Sequence, residues 1–174
     1  SSDATNEVYL RTGRLWPYTP TIGIYKCPAD KSTVRIGGRV YARVRSVSMN
    51  CWIGPTPEMS DFLNNNLNAA RYLVFKKTSH ITTPSGIFVF VDEREDAIDD
   101  GFFAVDMEMQ GFRNIPASRH DGAHGACGFA FADGHAEIKN WRDPRNRSVR
   151  FDDRYNLPNN PDVKWLQERA TFKK

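Results

Sequence analysis

Long apolar runs, cysteines and an excess of one charge are all scarce in this chain, and each shortage excludes something. No window approaches the roughly 18 to 20 apolar residues that a bilayer-spanning helix needs. The opening SSDATNEVYL also lacks the basic-then-apolar order of a secretory signal. Three cysteines, Cys27, Cys51 and Cys127, are too few for a disulfide scaffold and form no Cys-x-x-Cys pair. With 24 basic against 21 acidic residues the net charge is only +3. That near balance gives no concentrated basic face for nucleic acid. Catalytic signatures are missing as well: no Gly-x-Ser-x-Gly elbow, no Ser-x-x-Lys, no phosphate-binding glycine loop and no His-Glu-x-x-His. The expectation is a protein with no catalytic residues and no nucleic-acid partner.

What is present suits one globular domain over 1–174. Hydrophobic residues make up 40 % of the chain and aromatic residues 12 %, enough for a core at this length. TIGIYKC alternates like a short strand that Pro28 stops. Gly37-Gly38 suits a hairpin reversal, and RVYARVRSVSMN reads as a long β element whose phase slips after Arg45. A weak helix is expected near DFLNNNLNAARYL. SGIFVFVDE is the clearest strand, and FFAVDMEM resumes as another. The six carboxylates from Asp92 to Asp100 cannot be buried together unpaired, so they read as a solvated turn. Near the end, Asn160 can cap a helix that Pro161 and Asp162 begin, with Val163, Leu166 and Ala170 on one face. The fold class is α+β, mainly antiparallel sheet with a C-terminal helix.

The stretch RHDGAHGACGFAFADGH, 119–135, holds three of the four histidines. Asp133-Gly134 between two alternating runs fits a two-residue type I′ turn. That register pairs Ala132 with His135, Phe131 with Ala136 and Phe129 with Ile138. It places Ile138 on the core face and turns His135 away from the two phenylalanines, toward His120 on the preceding loop. Glu93, His120, Asp133 and His135 are therefore the candidate ligands of a metal-dependent binding module or hydrolase, with calcium or zinc as the ion. Hydrogen bonds to carbonyls or carboxylates satisfy the same histidines without any cofactor. Trp52 and Trp141 are the candidates for a carbohydrate-binding surface. Cys27 and Cys51 either pair, closing a loop worth about 3 kcal/mol, or are small buried apolar residues.

Several segments in order, LWPY, IYKCPAD, SVSMNCWIG, FVFVDE with IDDGFF, PASRHDG, FADGHAEIKNWRD and PDVKWLQERAT, resemble the bacterial prepilin-like proteins with a type II pseudopilin N-terminus. That family carries a C-terminal signature of His, nine residues, then Asp-Gly. Here twelve residues separate His120 from Asp133 and eight separate His124 from it, so an insertion within AHGACG is implied. The resemblance implies a non-catalytic structural subunit of a type II secretion or type IV pilus-like assembly, with a pseudopilin-like head fold. Its partners would be other pseudopilin subunits or secretion components, and its place the cell envelope, on the periplasmic or extracellular face. Membrane contact would come only through an N-terminal apolar helix that does not lie within these residues, as in a head cut from a longer chain or a stand-alone relative. An oxidising compartment would also favour a Cys27–Cys51 bridge.

Overall fold

The computed structural model describes residues 2–174, which fall into two compact units, one ending at Val47 and the other spanning Ser48–Lys174. Helices and antiparallel strand pairs occur together, as an α+β fold requires.

In the first unit, a short helix α1 (Val8–Arg11) precedes the hairpin of β1 (Thr33–Ile36) and β2 (Arg39–Ala42). Ile36 pairs with Arg39, and Gly37 and Gly38 have φ of 54° and 82°. A two-residue loop with both φ positive is the reversal expected from Gly-Gly. TIGIYKC departs from the strand expectation: Ile22–Tyr25 is a 3-10 turn. Among the described residues no sheet partner holds that segment extended, and alternation alone cannot supply one. None of the hydrophobic side chains of this unit is among the buried core, and Tyr9, Tyr18 and Ile24 are exposed.

The core lies in the second unit. Its five-stranded sheet contains β3 (Val47–Asn50), β4 (Phe88–Asp92), β5 (Phe102–Phe103), β6 (Ala126–Phe131) and β7 (Ala136–Asn140), in the order β5-β3-β4-β6-β7. The β4–β6 and β6–β7 pairs are antiparallel, whereas β3 and β5 run parallel. FVFVDE thus takes the central place its apolar run demands. FFAVDMEM yields only the two-residue β5, because the Ala104 amide donates to Asn114 Oδ1 and Asp106 Oδ1 accepts from the amides of Glu108 and Met109 in a turn. Phe88 meets Phe103 and Phe129 edge to face, with ring centres 6.2 and 5.5 Å apart, the favoured aromatic geometry. Trp52, Leu63 and Ile87 join them, fully buried.

Two helices close this core, with a short helical turn α3 (Arg145–Ser148) between the sheet and the last of them. The first, α2 (Pro57–Asn66), starts on a Thr56 cap whose Oγ1 accepts from Met59 N, with Pro57 at its first position. The last, α4 (Pro161–Gln167), begins as expected: Asn160 Oδ1 accepts from the amides of Asp162 and Val163. Val163, Leu166 and Ala170 face the core.

The hairpin of β6 and β7 exists, but its register is corrected. Phe131 N donates to His135 O, Gly134 N donates to Phe131 O, and Ala130 pairs with Ala136. The loop therefore has three residues, Ala132 to Gly134, with Gly134 alone at positive φ, 94°. This is a type I turn followed by a left-handed glycine. Moving the register by one residue inverts the faces of β7. Ile138 points outward and is 53 % exposed, while Glu137 and His135 stand beside Phe129 and Phe131.

Candidate functional site

Asp92 and Glu93 end β4, and the structure builds a polar cluster around them. Glu93 is fully buried. Its Oε2 accepts from Ser48 Oγ at 2.5 Å and its Oε1 from Asn114 Nδ2 at 2.6 Å. Both carboxylate oxygens thus have donors, which a buried charge requires. Arg119 Nη1 donates to Asp92 Oδ1 at 2.5 Å, while its Nη2 reaches Glu93 O and Glu95 Oε2, both at 3.0 Å. One guanidinium therefore ties the end of the strand to the loop that follows it. His120 follows Arg119 in the segment that leads into β6, with Nε2 4.0 Å from Asp92 Oδ2 and its amide donating to Ala126 O. Cys127 Sγ lies 3.1 Å from Asp92 O. Burial, with the nearby Asp92 charge second, pushes that thiol well above its ordinary range.

Asp133 and His135 form a second group at the hairpin tip. Asp133 Oδ1 accepts from His135 N at 3.2 Å and sits 2.6 Å from His135 Nδ1. These hydrogen bonds from His135 hold the Asp133 carboxyl below the usual carboxylate range. The His135 ring stacks on Phe131 at 4.3 Å, nearly coplanar at 6°. The expected placement of His135 over the alanine face is therefore corrected, because the three-residue loop puts it on the phenylalanine side.

Of the four candidate ligands, the structure brings Asp133 and His135 together. It sets Glu93 against Ser48 and Asn114, and His120 beside Asp92. Among the described residues, no three of the four converge within ligating distance. Trp52 and Trp141 are buried, donating their Nε1 hydrogens to Val105 O and Ala117 O. Neither ring offers an open face to a sugar. Cys51 and Cys127 are thiols buried within the second unit. Cys51 is fully buried, and burial raises its pKa to about 12.

Sequence reasoning missed a third cluster, centred on Asp162, which is fully buried. Its Oδ2 accepts from Arg142 N, Asp143 N and Asn146 Nδ2, each at 2.8 Å, and its Oδ1 from Lys139 Nζ at 3.0 Å. The visible signal, an acid in the first turn of a helix, suggested only interaction with the helix dipole. Asn50 is a further buried polar anchor: Nδ2 donates to Phe88 O and Ala170 O, both at 2.9 Å.

The chain matches no protein-family model, and no curated protein or solved structure matches it either.

Proposed function

We propose that this chain is the head of a pseudopilin-like, non-catalytic structural subunit of an envelope assembly, with copies of itself or related subunits as partners. The observation that carries the reading is that the segments on which the family resemblance rests bind one another. SVSMNCWIG meets FVFVDE through Ser48 and Glu93, and through Asn50 and Phe88 O. FVFVDE meets PASRHDG through Asp92 and Arg119. FADGHAEIKNWRD meets PDVKWLQERAT through Lys139, Arg142, Asp143 and Asp162. Asn50 also reaches Ala170 O within the last segment. Their polar residues thus join strands, loops and α4, which supports a structural role.

Exposed apolar side chains support an assembly role. Val8, Tyr9, Leu15, Tyr18, Ile24, Val40 and Tyr41, all from the first unit, are 41 to 84 % exposed. Exposed apolar side chains are groups that a partner subunit can bury, which supports the reading. The test is to read the native coding sequence ahead of Ser1 and fractionate cells that express its whole product. A basic leader followed by an apolar helix, with the product in the inner-membrane fraction, is the expected result. A reading frame without that helix, and a product that never cosediments with envelope, would overturn the proposal.

A further inference from the structure

A cavity of about 200 Å³ opens in the second unit, lined by Phe62 of α2, Asp99, Phe102 of β5, Arg113, Arg154 and Tyr155 among others. Its wall depends on a close backbone approach. Phe112 N donates to Arg154 O at 2.8 Å, and a Cβ on Gly111 would lie 2.3 Å from that same oxygen. Only glycine leaves room for the crossing.

The two arginines of this cavity differ sharply in what they bind. Arg154 has its donors occupied: Nε by Arg113 O at 3.1 Å, Nη1 by Phe151 O and Nη2 by the Tyr155 hydroxyl. Its guanidinium also lies 3.4 Å from the centre of the Phe151 ring. Arg113 has none of this. It is half-buried, its guanidinium held 5.6 Å from the Phe62 ring centre and 6.0 Å from that of Tyr155, with no protein acceptor among the described residues. A guanidinium fixed against aromatic faces with all its donors open is a ready partner for a carboxylate. Asp99, an exposed residue, lines the same cavity beside Asp100. Its Oδ1 accepts only the amide of Asp100, at 2.9 Å, and no cation lies within ion-pair distance of it among the described residues. Arg113 and Asp99 thus share one small space without pairing with each other, and Phe62 and Phe102 line it too.

We infer that this cavity binds a small zwitterion of the α-amino acid class, with its carboxylate on Arg113, its ammonium toward Asp99 and an apolar side chain against Phe62 and Phe102. Size agrees: a cavity of about 150 Å³ holds benzene, whereas drug-sized ligands need about 300 Å³ or more. A ligand with a carboxylate alone would offer Asp99 no cationic partner, and a dianion would be repelled by Asp99 and Asp100. The site is independent of the assembly role proposed above.

The experiment is titration calorimetry of the whole chain with L-phenylalanine, L-leucine, phenylacetate and phenethylamine, with amide NMR shifts as a second readout. The expected result is saturable binding of the amino acids, with shifts at Phe62 and Tyr155. Phenylacetate and phenethylamine each bind at least about tenfold more weakly, the cost of one charge-assisted hydrogen bond. Arg113→Gln and Asp99→Asn each weaken L-phenylalanine by a similar factor, whereas His135→Gln does not. Arg113→Lys recovers part of the loss, and circular dichroism of each variant confirms that it is folded. Absence of any binding at about 10 mM amino acid, weaker than any specific site of this kind, overturns the inference. So does unchanged affinity in Arg113→Gln, and equal binding of phenylacetate overturns the zwitterion assignment.

Discussion

Replacing Asp162 by Ala tests how far one buried carboxylate holds the second unit together. The substitution removes the acceptor of three N–H groups and the counter-charge of Lys139, whose side chain is only 12 % exposed. Each buried donor left without a partner costs about 1–3 kcal/mol, and breaking a buried ion pair about 3–5 kcal/mol. These losses overlap, because local rearrangement and water relieve several donors at once. The expected cost is therefore about 3–5 kcal/mol, a large share of the ~5–15 kcal/mol by which domains are stable. Asp162→Asn keeps an oxygen for the three N–H groups and leaves the Lys139 ammonium donating to Asn140 O, so it costs less than Asp162→Ala, about 1.5–3 kcal/mol. Lys139→Met belongs in the same series, because the Lys139 ammonium lies 5.6 and 5.3 Å from the ring centres of Trp141 and Trp165, which Met can still pack against. The assay is urea unfolding followed by tryptophan fluorescence, comparing midpoints at equal m. A cost below about 1 kcal/mol for Asp162→Ala, the range of an ordinary surface change, would refute the reasoning. So would equal costs for Ala and Asn.

The hairpin, the thiols and the acid limb give further tests. Gly134→Ala forces a residue with a Cβ to φ of 94°, although nothing lies within 4 Å of the new atom. The expected loss is therefore backbone strain alone, about 1–2 kcal/mol, and a melting temperature unchanged from wild type contradicts the three-residue loop. In native protein at pH 8, a thiol reagent should leave Cys51 and Cys127 unmodified, since both are fully buried with raised pKa values. Cys27→Ser should then show no fast-reacting thiol at all, and rapid labelling of that variant refutes the burial. The Arg145 side chain holds the Asp143 carboxyl below its usual range. A depressed folded-state pKa stabilises above the unfolded value, about 3.9, and that contribution is lost as pH falls through the folded value. Asp143→Asn should thus flatten the loss of stability below about pH 4 in acid titrations, and an identical acid limb would contradict the Arg145 pairing.

Local signals were readable where one short stretch determined the outcome. Asn160-Pro161 started α4 at the expected residue, Gly37-Gly38 turned the first hairpin, and the apolar run of FVFVDE found the middle of the sheet. The second hairpin shows where such reading stops. Ala-Asp-Gly fits a two-residue or a three-residue loop, and the choice is made by distant packing. The longer loop puts Lys139 on the side where Asp162, Trp141 and Trp165 wait, and leaves Ile138 outside. The polar cluster follows the same rule. Glu93 stood out as an acid at a strand end, but its partners Asn114 and Ser48 lie 21 and 45 positions away. No periodicity or turn residue marks such pairings, because they arise only when strands from separate parts of the chain meet. Arg119, adjacent to a candidate histidine, was visible only as a neighbour, and its contact with Asp92 emerged with the fold.

The most direct test of the proposed assembly role is in-cell photo-crosslinking of the whole native gene product, with the crosslinker placed at Tyr18 or Tyr9, both exposed in the first unit. The account predicts adducts with copies of the same protein or with envelope secretion components, recovered from the membrane fraction. A product that stays uncrosslinked at both positions and free of the envelope would contradict it.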